Sequence, residues 1–169
     1  MIQERGGRHC ADRLGILFIC HGNICRSPMA EYVLRHLASA AGLGRRLHIA
    51  SAATSAEESG SRVYPPVSAL LRREGIDCSD KRAVQVSASD LLAADHVIIM
   101  DTENLSLLRR RFPRECREHP PRRLLAYAGR DEDVADPWYT RDFEGCYRDI
   151  LQGCTALLAQ LRTELGAGS

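Results

Sequence analysis

A cysteine and an arginine bracket a short polar loop, Cys20-His21-Gly22-Asn23-Ile24-Cys25-Arg26-Ser27. The apolar run Ile16 to Ile19 before it predicts a buried strand. Ser27-Pro28 after it predicts a helix start, with Ser27 as the cap and Pro28 in the first turn. A strand-to-helix turn of this kind curls its backbone N–H groups inward and adds the positive end of a helix, which together cradle an anion. Gly22 and Asn23 supply residues that tolerate the left-handed backbone such a curl requires. Arg26 can offer two parallel hydrogen bonds to the oxygens of a phosphate. In that field Cys20 favours the thiolate, the nucleophilic form, with the Ser27 hydroxyl as a donor to it or to the departing sulfur. Alone, Cys20 reads as strand packing and Arg26 as a solvated side chain. Their joint placement around Gly22-Asn23 points instead to nucleophilic attack on a bound oxyanion.

The segment Ile16–Glu31 resembles the active-site loop of the low-molecular-weight protein tyrosine phosphatases, and further matches run from about Leu14 to Leu165. A second piece lies in the acidic stretch Gly129 to Thr140, which holds Asp131, Glu132, Asp133 and Asp136. Composition alone reads it as a solvated turn. Asp136 is followed by Pro137-Trp138-Tyr139, which stiffens the chain and brings rings that can shield the acid or wall a flat substrate. The resemblance decides the point: Asp-Pro-aromatic-Tyr ahead of Asp142-Phe143-Glu144 is similar to the family's general-acid loop, with Asp136 as its acid and Thr140 where a glycine is common.

The resemblance implies a two-step hydrolysis of phosphotyrosine in a protein substrate, or of an aryl phosphate. Cys20 attacks phosphorus while Asp136 protonates the leaving oxygen, and Asp136 then activates water against the phosphocysteine. Cys20, Arg26 and Asp136 are the expected catalytic residues. His21, Gly22, Asn23, Ile24, Cys25, Ser27, Trp138 and Tyr139 are the expected substrate-binding ones. No metal or other cofactor is implied, because Arg26 and the loop amides neutralise the charge. The resemblance also gives Ser51 as a partner for Asn23, and Cys25 as a thiol that can form a reversible disulfide with Cys20. It thins at the rim, where Glu57 stands in a substrate-facing position and Gly60-Ser61-Arg62-Val63-Tyr64-Pro65-Pro66 and Lys81-Arg82-Ala83-Val84-Gln85 depart from the family pattern. Three rivals stay open. One is an arsenate reductase of the same fold, which needs two further cysteines close together where Cys78 stands alone. Another is a protein-arginine phosphatase, whose relatives carry Thr at the place of Ile24. The last is a phosphate-binding module without turnover.

Positioning these residues needs strands alternating with helices. The loop helix carries Ala30, Val33, Leu34, Leu37 and Ala41 at helical spacing and is closed by Gly42; Arg46–Ala53 predicts a second strand. A loop over Thr54–Pro66 precedes short helices over Val67–Glu74 and Ser87–Ala94. Asp95–Met100 predicts a strand, Leu105, Leu108 and Phe112 a helix stopped by Pro113, and Leu124–Ala126 a short fourth strand. Phe143, Tyr147, Ile150, Leu151, Cys154, Leu158, Leu161 and Leu165 trace one face of a long last helix. Alternation predicts an α/β domain with a parallel sheet covered on both faces. The resemblance implies four strands in the order 2-1-3-4.

The chain's 169 residues fit one such three-layer domain over 14–166, with 1–13 as a mobile polar extension lacking a signal peptide's apolar core. Lys plus Arg numbers 23 against 22 Asp plus Glu, which gives no support for nucleic-acid binding or a polybasic membrane patch, so any anion site is local. No apolar run is long enough to span a membrane. Seven cysteines without a disulfide rhythm or zinc spacing point to a reducing cytoplasm.

Overall fold

The computed structural model describes residues 13–167. Strand β1 (Leu14–Cys20) is the centre of a parallel sheet, flanked by β2 (Leu47–Ala53) and β3 (His96–Ile99), with β4 (Arg122–Arg123) on the far edge; the order is β2-β1-β3-β4. β1 has no edge exposed to solvent, and its side chains alternate between two cores. Ile16, Phe18 and Cys20 face one core, which is covered by α1 (Arg26–Ala40), α2 (Pro65–Arg73) and α7 (Phe143–Ala167). Leu17 and Ile19 face the other, under α3 (Ala88–Ala93), α4 (Thr102–Arg111) and α5 (Pro113–Glu118). The three-layer α/β expectation and the strand order are therefore observed. No described helix is long and apolar enough to cross a membrane. The extension expected over residues 1–13 lies, apart from Arg13, outside the described residues.

Four local expectations are corrected. Leu124–Ala126 is not the fourth strand: β4 ends at Arg123, and Leu124–Ala128 winds into a 3-10 turn. The cause is α7, which crosses so close that a Cβ on Gly153 would lie 2.5 Å from the Leu124 side chain. Leu124 and Leu125 are thus buried by a helix resting on a turn. Pro113 does not simply stop a helix; it takes the first position of α5, where its missing N–H costs nothing. The stretch Gly129–Thr140 is not all loop, since α6 (Pro137–Thr140) closes it.

The fourth correction touches the site. Ser27 is not a helix cap. α1 begins two residues earlier than such a cap implies, at Arg26, and Cys25 precedes it without a side-chain cap. Ser27 is buried inside the first turn, so its hydroxyl is released for another task.

Candidate active site

The loop leaves β1 at Cys20 and enters α1 at Arg26, at the carboxyl end of the sheet, where open α/β sheets gather their ligands. Its carbonyls are held from outside. Cys20 O accepts Thr54 N–H at 3.0 Å, His21 O accepts Ser55 N–H at 3.0 Å, and Ile24 O accepts Tyr64 N–H at 2.9 Å. Cys25 O takes the Met29 amide of α1 at 3.2 Å. Because N–H and C=O point in opposite directions across a planar peptide, outward carbonyls turn the amides that follow them inward. Asn23 holds the one left-handed backbone in the loop, at φ 58°. Gly22 does not share it, contrary to expectation, and a methyl there would make only ordinary contacts with Glu58 and Ile24.

A chain of hydrogen bonds runs behind the loop. Asn23 Oδ1 accepts the Val84 amide at 3.1 Å, which fixes the orientation of its side-chain amide. Its Nδ2 then donates to Ser27 Oγ at 2.8 Å and to Ser51 Oγ at 2.9 Å. Ser51 donates in turn to Glu31 at 2.6 Å. Since Ser27 Oγ already accepts from Asn23, its proton is free to point at Cys20 Sγ, 3.0 Å away. The Ser27 amide is a second donor to that sulfur at 3.4 Å. Glu31 is buried, and its charge is met by Lys81 at 3.2 Å and by Arg35. Lys81 also donates to Ser51 O at 3.0 Å, tying β2 to the same anchor.

Arg26 is 3% exposed and held more closely through Nη1 than through Nη2. Nη1 donates to Asp101 at 2.7 Å and to Val134 O at 2.8 Å, while Nη2 lies 3.4 Å from Asp136 Oδ2. Burial works against the guanidinium's charge, but the opposing charges of Cys20, Asp101 and Asp136 outweigh it and hold its pKa above the ordinary value. Asp136 caps α6, accepting the Trp138 amide at 3.0 Å. Its loop is pinned at Val134, whose amide donates to Met100 O at 2.8 Å. Arg123 holds Asp131 and Asp133, and Arg130 holds Glu132 and Asp149.

Together these parts enclose a cleft of about 180 Å³ lined by Cys20, His21, Gly22, Ile24, Cys25, Arg26, Glu57, Glu58, Asp136, Trp138 and Tyr139. A thiol on the floor, a guanidinium beside it, a carboxyl facing them and two rings at the mouth form one constellation. Such a site can take a tetrahedral anion carrying a flat substituent.

A model of the low molecular weight phosphotyrosine protein phosphatases matches residues 15–167. The chain belongs to that family. It is 40% identical over 153 residues to the low molecular weight protein-tyrosine-phosphatase YfkJ of Bacillus subtilis, covering 89% of this chain and 97% of that protein. The crystal structure of YfkJ superposes with a TM-score of 0.85 over 94% of this chain and 99% of the other. The human low molecular weight phosphotyrosine protein phosphatase is 32% identical, over 85% of this chain and 92% of its own. The YwlE arginine phosphatase of Geobacillus stearothermophilus shares the architecture at 27% identity and TM-score 0.78, over 89% of this chain and 94% of that one.

Of the residues expected to be catalytic or substrate-binding, nine line the cleft: Cys20, His21, Gly22, Ile24, Cys25, Arg26, Asp136, Trp138 and Tyr139. Asn23 and Ser27 do not; they are buried behind it and reach it through the sulfur. The Asn23–Ser51 pair implied by the resemblance is present. Glu57 lines the rim, and Glu58 beside it was missed. Also missed were Asp101 and the Glu31–Lys81 pair. Asp101 had a signal, an acid directly after the third strand, at the end of the sheet where sites form. Glu31 had another, a carboxylate inside the apolar run Met29–Leu34.

Proposed function

We propose that the chain is a cysteine-dependent protein-tyrosine phosphatase of the cytoplasm, acting on phosphotyrosine in proteins through a phosphocysteine. The observation that supports it most is the pair of Ser27 donors aimed at Cys20 Sγ in a cleft shared with Arg26 and Asp136. With Nη1 of Arg26 committed to Asp101 and Val134, the Nε–Nη2 edge is the fork that takes two phosphate oxygens. The inward loop amides take the remaining charge. Cys20 attacks phosphorus in line with the tyrosyl oxygen, which leaves as Asp136 gives it a proton. The S–P bond that forms is cleaved by water as Asp136 takes a proton back, and Ser27 donates to the departing sulfur. The charge of the transition state is met by Arg26 and backbone dipoles already in place before the reaction. Trp138 and Tyr139, both exposed, flank the aryl ring.

Hydrolysis of p-nitrophenyl phosphate by the wild type, Cys20→Ser and Asp136→Asn tests this reading. Activity in the wild type, none in Cys20→Ser and a loss of roughly 100-fold or more in Asp136→Asn are expected. Phosphoarginine, and arsenate with thioredoxin, test the rival chemistries on the same preparation. Ile24, which lines the cleft, supports the tyrosine reading over the arginine one. A wild type silent on every substrate but binding phosphate would leave the non-catalytic module.

A further inference from the structure

A groove of about 680 Å³ opens beside the cleft and shares Ile24, Glu58 and Trp138 with it. Tyr64 lines it and packs against Trp138 with ring centroids 5.0 Å apart, so an apolar ridge runs from the cleft into the groove. The outer wall is basic. Arg62 and Arg72 line it, both exposed, and neither has an ion-pair partner within salt-bridge reach among the described residues. Asp77 feels Arg72 only as a more distant charge. The next arginine of α2, Arg73, is by contrast paired with Glu144 at 2.6 Å. Two guanidinium groups without a close ion pair therefore line one groove that adjoins the cleft.

We propose that this groove receives the polypeptide flanking the phosphorylated residue, and that Arg62 and Arg72 select substrates with an acidic side chain a short way along the chain. The inference rests on the phosphatase reading given above. Glu58 stands on the ridge, lining both cavities, and accepts a hydrogen bond from Ser61 at 2.9 Å. Its carboxylate repels an acid immediately next to the phosphotyrosine. The favoured acid therefore lies beyond that ridge, at a position not adjacent to the phosphotyrosine. Glu57 and Glu58 make the cleft side of the rim acidic, Arg62 and Arg72 make the groove side basic, and this polarity orients the bound peptide. A small aryl phosphate has no flanking chain and ignores the groove.

The test measures kcat/KM for phosphotyrosine peptides in which a single Asp is moved through about four positions on either side, for the wild type and for Arg62→Ala/Arg72→Ala. The wild type is expected to favour an acid at one or two non-adjacent positions by about threefold to tenfold, the scale of one or two exposed charge pairs. The preference fades as salt is raised. The double variant loses the preference while its turnover of p-nitrophenyl phosphate stays within about twofold of the wild type. Arg62→Glu/Arg72→Glu should reverse it, favouring Lys at the same positions, which also excludes loss through misfolding. A preference that survives in both variants, or a wild type that cleaves every peptide equally well, overturns the proposal. A wild type that cleaves neither peptide nor p-nitrophenyl phosphate overturns the phosphatase reading instead.

Discussion

Asp101 divides its carboxylate between two elements: Oδ2 holds Arg26 Nη1 at 2.7 Å, and Oδ1 caps α4 by accepting the Asn104 amide at 2.8 Å. The arginine at the start of α1 is thereby fixed to the end of β3. Its other terminal nitrogen, Nη2, faces Asp136 at 3.4 Å across the cleft.

Replacing that carboxylate should show how much positioning contributes. Asp101→Asn keeps a capping oxygen but removes the opposing charge. Its kcat/KM on p-nitrophenyl phosphate is expected to fall roughly 10- to 100-fold, the cost of displacing a catalytic group by about 1 Å. Asp101→Ala should add a loss of helix capping of about 1 kcal/mol, read as a lower Tm. Unaltered kinetics in Asp101→Asn would show that Arg26 is held well enough by Val134 alone.

Glu31, buried and tied to Ser51, Lys81 and Arg35, makes a second prediction. Lys81→Met leaves the carboxylate with one fewer partner in a low-dielectric setting, and about 3 kcal/mol of stability is expected to go with it. Turnover should fall as well, because Ser51, Asn23 and Ser27 pass the disturbance to Cys20. Thermal unfolding and kcat measured on one preparation check both. A destabilised variant with wild-type kcat would separate the anchor from the chemistry.

The strand-to-helix loop at the cleft was legible in the sequence because its parts are local: Cys20, Asn23, Arg26 and Ser27 lie within one short stretch of chain. The core faces of α1 and α7 were legible for the same reason, through their helical spacing. Asp101 and Lys81 were not, since each meets the site only after the sheet has brought distant segments together. Ser27 misled because Ser before Pro is a common cap, whereas here the helix starts two residues earlier than that and draws the hydroxyl inward. Leu124–Ala126 misled because burial by α7 gives a turn the same apolar composition as a strand.

Alkaline pH should unfold the protein through its buried phenols. Burial pushes Tyr127 up to about 12, and Tyr32 is raised for the same reason. A group raised in the folded state favours folding by staying protonated. The stability it gives is complete below the unfolded value near 10 and is lost as pH rises toward about 12. Stability measured by urea unfolding is expected to decline across that window, and less steeply in Tyr127→Phe. An equal slope in both would place the linkage elsewhere.

Peroxide should convert Cys20 to a sulfenic acid, which Cys25 then closes to a disulfide with loss of water. Burial holds the Cys25 thiol well above the ordinary range, so the closing step should quicken as pH is raised. Peptide mapping after peroxide at several pH values follows it. Sulfonic acid at Cys20 without a Cys20–Cys25 peptide would count against a protective disulfide.

Glu57 at the rim tests selectivity from the cleft side. Glu57→Trp should raise kcat/KM for phosphopeptides rich in acids by about threefold, with little change on aryl phosphate. Unaltered selectivity would remove Glu57 from the account.

The most direct measurement is alkylation of the thiols by iodoacetate near neutral pH, mapped residue by residue, with and without vanadate. Cys25, Cys78, Cys116, Cys146 and Cys154 are all buried with raised pKa values, which makes them poor nucleophiles. Among the described cysteines, Cys20 should therefore be labelled first, and vanadate should prevent it by filling the cradle formed with Arg26. Labelling of Cys20 that vanadate leaves unchanged, or labelling spread evenly over these thiols, would contradict a nucleophile poised within an oxyanion site.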